Sequence, residues 1–137
     1  MGRRSPLDVL GIRLEVTLTT EKMRSAGLAP QVLSCGSADA AMYWSAVQIV
    51  AHHSSNGCNL QPGDLIGTGT LSSDNAGGLG SLLEISHGGK RPIELPTGEM
   101  RSFLENGDEV TLKAWCEGDS AVRIGFGECV GRVVASG

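Results

Sequence analysis

The chain has 137 residues, enough for one domain with a buried core. Its content of 40% hydrophobic and 19% charged residues is too apolar for intrinsic disorder. Its net charge of -4, with Arg3-Arg4 as a lone basic pair near the start, excludes the broad basic footprint of a nucleic-acid binder.

Glycine is the compositional outlier. The 20 glycines are about twice the usual share. With only 5 prolines and no repeat period, they indicate many turns rather than low complexity. Cys35, Cys58, Cys116 and Cys129 form no Cys-x-x-Cys pair and no zinc spacing. They read as reduced, mostly buried thiols of a cytoplasmic protein. Leu7, Val9 and Leu10 after the arginine pair have the flavour of a leader. Asp8 interrupts that run and Arg13 ends it, which argues against a signal peptide. No stretch is long and apolar enough to span a membrane. Residues 1–137 read as a single domain, with residues 1–11 disordered.

In chain order, Ile12 to Thr20 alternates. Ile12, Leu14, Val16 and Leu18 would face a core, and Arg13, Glu15, Thr17 and Thr19 would face out, as in a half-buried strand. Thr20 to Pro30 reads as a loop and Gln31 to Ser34 as a short strand. Asp39 to Asn56 is the one helix expected. Met42, Ala46, Ile49 and Val50 form its apolar stripe, and Asn56-Gly57 supplies its stop. Tyr43 and Trp44 on that helix are expected to be core anchors against a sheet.

Asp64 to Leu71 and Leu82 to Ser86 read as two short strands around a long Ser/Asp/Asn/Gly loop. A loop of that length within a compact domain is usually functional or mobile. Pro62-Gly63-Asp64, Asn106-Gly107-Asp108 and Glu117-Gly118-Asp119 are three turn signals of one type, each followed by an apolar run. Glu109 to Trp115 alternates. Val122 to Glu128 and Cys129 to Val134 are strand-like. The fold class is therefore mainly β with one α-helix, built from short antiparallel strands in a sandwich or roll.

Several patterns suggest chemistry and weaken on inspection. His52-His53 are adjacent on a helix and point about 100° apart, so they do not clamp one ion. Their ordinary role is one hydrogen-bonded ring near the helix end and one exposed ring. Glu84-Ile85-Ser86-His87 has the letters of a Glu-x-x-His metal motif, but that motif needs a helix and a second copy. The glycine-rich loop lacks both nucleotide-binding patterns, and no Gly-x-Ser-x-Gly elbow exists. Two reactive-type side chains remain at the loop's edges, Thr70 and Glu84. Spacing alone leaves each open between a site role and a plain one, a turn hydroxyl for Thr70 and a surface carboxylate for Glu84.

A resemblance bears on that choice. Tyr43-Trp44-Ser45, Gln48, His52-His53, Asn56-Gly57-Cys58-Asn59-Leu60, Pro62-Gly63-Asp64-Leu65, Gly69-Thr70, Gly80-Ser81 and Glu84 resemble the C-terminal part of the fumarylacetoacetases. Lys90-Arg91-Pro92-Ile93, Arg101-Ser102-Phe103-Leu104, Gly107-Asp108-Glu109-Val110 and Arg123-Ile124-Gly125-Phe126-Gly127 continue the resemblance. It runs from about Leu14 to Val134. It implies a mixed β-roll, here incomplete. It also implies a homodimeric, cytoplasmic hydrolase that takes a small-molecule diketone with Mg²⁺ or Ca²⁺ in the site, in the last step of tyrosine breakdown. A general base acting on water and a hard cation on the diketone oxygens make physical sense for that reaction.

By resemblance Thr70 matches the substrate-contacting threonine and Glu84 the glutamate that orients the attacking water. The base histidine, the metal carboxylates and the oxyanion Lys and Arg of the family lie upstream of the matched region. His52, His53 and His87 do not match the base, and Asp64 does not match a metal ligand. Ser72 to Gly77 also departs from the family's proline-rich loop. The resemblance therefore implies a C-terminal portion, inactive alone, with no metal ligand of its own. A non-catalytic β-roll that associates with another chain is the rival reading. A stand-alone decarboxylase or hydratase of the superfamily would need the same missing ligands.

Overall fold

A computed structural model describes residues 11–75, 77–118 and 121–137. The expected disordered segment 1–11 lies outside the described residues except for Gly11, and so does Asp119 of the third turn signal.

Four strands form one antiparallel sheet: β1 (Ile12–Thr19), β2 (Gln31–Ser37), β5 (Glu109–Gly118) and β6 (Ala121–Arg132), in the order β2-β1-β5-β6. A two-stranded ribbon, β3 (Ile93–Glu94) with β4 (Met100–Arg101), lies apart from that sheet. Register follows the alternation. Leu14 pairs with Ala114, Val16 with Leu112 and Leu18 with Val110, so the apolar side chains of β1 and β5 share one face. On the other face Lys113 pairs with Glu128, 2.8 Å between Nζ and Oε1, and Arg123 lies 4.4 Å over the Trp115 ring. The two strand-like runs expected near the C-terminus are one strand, β6. An extra residue between Gly125 and Glu128 makes a bulge, and Gly127 at φ 81° takes the backbone conformation it requires.

The core sits at one end of the sheet. Ala38 is buried at the opposite end, where β2 runs into a short helix; Leu18, Met23 and Leu95 are the buried apolar side chains at this one. Thr17, Thr19 and Thr20 are buried with them, against the expectation that Thr17 and Thr19 face solvent. The reason is α1 (Glu21–Ser25), a helix where a loop is expected. Thr20 caps it, its Oγ1 accepting from Met23 N–H at 3.2 Å and donating to Glu99 Oε2 at 2.6 Å. Arg24 then ties the helix to the turn before β5, donating to Gly107 O at 2.6 Å.

That turn is held by a buried ion pair. Arg101 donates from Nε to Asp108 Oδ2 at 2.9 Å and from Nη2 to Oδ1 at 3.2 Å. Asp108 also accepts from Glu105 N–H at 2.9 Å. Asp64 repeats the turn chemistry at the surface, accepting from Gln61 N–H at 2.7 Å.

The expected single helix is broken. It is α2 (Ala38–Ala41) and α3 (Ala46–Ser55), with Met42 extended between them. Ser45 starts the second piece with a capping box: Gln48 N–H donates to Ser45 Oγ at 3.2 Å, and Ser45 N–H to Gln48 Oε1 at 2.9 Å. Tyr43 and Trp44 fall in the break. They are 80% and 59% exposed, so they are not core anchors. They contact each other edge to face, with centroids 5.0 Å apart. The cysteine expectation fails in burial only. All four thiols are free, Cys35, Cys58 and Cys129 are exposed, and Cys116 is half-buried. Among the described residues no helix is long and apolar enough to cross a membrane.

Candidate active-site wall

The segment after α3 carries the site. Asp64 to Leu71, expected as a strand, has no regular structure and is largely exposed. Leu82 to Ser86, also expected as a strand, contains a short helix, α4 (Leu82–Ile85). The sequence carries the reason: Ser81-x-x-Glu84 is a helix-start pattern, and Ser81 Oγ accepts from Glu84 N–H at 3.3 Å. Glu84-Ile85-Ser86-His87 is therefore partly helical. Even so, among the described residues no three His, Cys, Asp or Glu side chains gather where they could hold one ion.

Residues 72–75 and 77–81 belong to a loop closed by its own hydrogen bonds. Ser73 N–H donates to Gly78 O at 2.9 Å, and Gly78 N–H to Asn75 O at 2.9 Å. Its outer end is pinned to the sheet edge, where Cys35 N–H of β2 donates to Gly77 O at 2.8 Å. Its neck is closed by side chains. Ser72 Oγ lies 2.9 Å from each Glu84 carboxylate oxygen and accepts from Gly80 N–H at 3.0 Å. Ser81 Oγ donates to Glu84 Oε2 at 2.7 Å.

Glu84 is thus a half-buried carboxylate fixed by two hydroxyls. The Ser81 hydrogen bond, then the Ser72 one, holds its carboxyl below the usual glutamate range. Among the described residues no cation pairs with it, so hydrogen bonding is the source of that shift.

Thr70 is exposed on the strand of chain that crosses Gly80. A Cβ at Gly80 would lie 2.7 Å from Thr70 Cγ2 and would run into the Leu71 carbonyl oxygen. Thr70 and Glu84 therefore stand on the two sides of one neck, and the absence of a side chain at Gly80 permits the crossing.

The neck lies over the apolar face of the sheet. A cavity of about 470 Å³ separates Thr68, Leu71 and Gly80 from Leu14, Leu112 and Phe126. His52 and His53 line a second cavity with Trp44 and Thr68, and Thr68 borders the first cavity as well. His52 is exposed and His53 half-buried, with their rings 5.8 Å apart. His87 is exposed, just past α4.

Sequence reasoning names Thr70 and Glu84 but misses Ser72. A serine is a weak signal, and only the closed loop brings it to a carboxylate twelve residues away.

Residues 9–134 match the protein family described as fumarylacetoacetate (FAA) hydrolase C-terminal, and the chain belongs to that family. Within it the similarity is to fumarylacetoacetases. The human protein is 45% identical over 112 residues, 82% of this chain and 26% of the relative. The Caenorhabditis elegans protein is 45% identical over 122 residues, 88% of this chain and 28% of the relative. The Arabidopsis thaliana protein is 47% identical over 95 residues, 69% of this chain and 22% of the relative. The chain thus spans about a quarter of the length of these relatives and corresponds to a C-terminal portion of them.

Proposed function

We propose that this chain supplies the threonine–glutamate wall of a fumarylacetoacetase site and does not turn over alone. The reaction is hydrolysis of the carbon–carbon bond of 4-fumarylacetoacetate to fumarate and acetoacetate. The carrying observation is Glu84, a carboxylate hydrogen-bonded by Ser72 and Ser81 at the neck of a loop. Such a carboxylate accepts a hydrogen bond from water and fixes the direction of the water's lone pair. Thr70 then offers a hydroxyl to the substrate from the other side of the neck.

The rest of the machinery is supplied from outside these residues. By the resemblance, none of the three histidines matches the family's base. The described residues also do not fit a Mg²⁺ or Ca²⁺ cage, which needs several oxygen ligands. In this reading the complete assembly is a cytoplasmic homodimer whose added strands close the open sheet into a mixed β-roll. The test is diketone ultraviolet absorbance with the purified chain, fumarylacetoacetate and Mg²⁺, where no loss is expected.

One observation favours a second reading, a non-catalytic module that associates with another chain. Val122, Ile124 and Phe126 on the outermost strand β6 are exposed, the last two by 64% and 62%. Exposed apolar strands at a sheet edge invite pairing. A monodisperse monomer on sizing chromatography that binds no hydrophobic dye would count against this reading.

A further inference from the structure

We propose that Ser72 is a positioning residue: with Ser81 it holds the Glu84 carboxylate in one orientation and closes the neck of the 72–81 loop. This deepens the fumarylacetoacetase reading and rests on it for the meaning of Glu84.

The geometry carries it. Ser72 Oγ is equidistant, at 2.9 Å, from both carboxylate oxygens of Glu84. Its one proton is shared between them, so rotating the carboxylate about its terminal torsion lengthens at least one contact. That torsion is otherwise broad and poorly determined. Ser81 Oγ adds a third contact, on Oε2 alone at 2.7 Å, which breaks the symmetry between the oxygens. Oε1 then carries the freer lone pairs and is the oxygen available to a water.

Ser72 is itself fixed. Its Oγ accepts from Gly80 N–H at 3.0 Å, so the hydroxyl is oriented by backbone on one side and by carboxylate on the other. The same backbone passes Thr70 too closely to admit a Cβ at Gly80. Ser72 therefore links the two sides of the wall through Gly80. Beyond it Ser73 and Asn75 bond to Gly78, and Gly77 bonds to Cys35 of β2, so the latch is held at both ends.

The experiment is carboxyl carbon NMR of the chain labelled at glutamate, with Glu84→Gln to assign the signal. The unmodified chain is expected to show Glu84 titrating below the ordinary glutamate range, with one side-chain rotamer. Ser72→Ala should move that titration up towards the ordinary value and average the rotamer couplings. Ser72→Thr, which keeps the hydroxyl, should restore both, and Ser72→Val, of the same shape, should not. A Ser72→Ala chain with unchanged Glu84 titration and couplings overturns the proposal. Should Ser72→Ala fail to fold, the unmodified chain decides. A Ser72 hydroxyl proton that persists at neutral pH and vanishes as Glu84 protonates supports the latch. A Glu84 that titrates in the ordinary range sinks it. Neither result depends on turnover: loss of the latch leaves the diketone assay as it stands, and an unexpected turnover leaves the latch readings as they are.

Discussion

Ser72 Oγ and Glu84 meet across twelve residues with two equal contacts of 2.9 Å, and this pair joins the loop to the short helix that follows it. The contact has a sign in pH. Glu84 has a folded-state pKa below the ordinary glutamate value of 4.5, through the Ser81 and then the Ser72 hydroxyl. A depressed carboxylate contributes stability that is fully present above the unfolded value and is lost as pH falls through the folded one. Glu99 has the same sign, through Thr20 and then Thr97. The denaturant midpoint should therefore be flat near neutrality and decline below about pH 4.5. Ser72→Ala and Ser81→Ala should each make the decline shallower, measured by urea titration across acid pH.

Gly80→Ala tests the crossing of the neck. Its added methyl meets the Leu71 carbonyl oxygen and Thr70 Cγ2. Backbone cannot swing aside as a flexible side chain can, so a loss of roughly 1–3 kcal/mol is expected. Gly36→Ala on β2 is the control, because nothing lies within 4 Å of a Cβ there. Equal melting points for the two variants would show that the crossing is not tight.

Asp108→Ala should be among the most destabilising single changes. Asp108 is 1% exposed and takes two hydrogen bonds from Arg101 and one from Glu105 N–H. Removing it leaves a buried guanidinium with Glu99 and the more exposed Glu105 as partners. Breaking a buried pair from one side typically costs about 3–5 kcal/mol. The surface counterpart Asp64→Ala makes the same turn in solvent and should cost well under half of that, compared by denaturant unfolding.

Trp44 is exposed, while Trp115 is half-buried, lies under Arg123 and donates from Nε1 to Glu117 at 2.8 Å. Acrylamide should therefore quench mainly Trp44, and Trp44→Phe should remove most of the quenchable emission without shifting the melting point. A melting point lowered by several degrees would mean that Trp44 packs on the fold after all.

The sheet is the part most legible in the sequence. The alternation Ile12-x-Leu14-x-Val16-x-Leu18 and that of Val110-x-Leu112-x-Ala114 meet in register as paired strands. The helices are less legible, because caps outrank apolar stripes. Ser45 with Gln48 starts α3 inside what periodicity presents as one helix, and Ser81 with Glu84 makes a helix turn where an apolar run suggests a strand. Of the site, Thr70 and Glu84 stand out as reactive types at the edges of the loop. Ser72 does not, because its role depends on a closure that no local pattern encodes.

Diketone absorbance with fumarylacetoacetate and Mg²⁺, followed on the purified 137-residue chain, is the most direct test of the central claim. No loss of absorbance is the predicted result, consistent with a chain that holds the Thr70–Glu84 wall and lacks the base. Metal-dependent loss, abolished by substitution at His52, His53 or His87, would contradict it and move the site to the histidines.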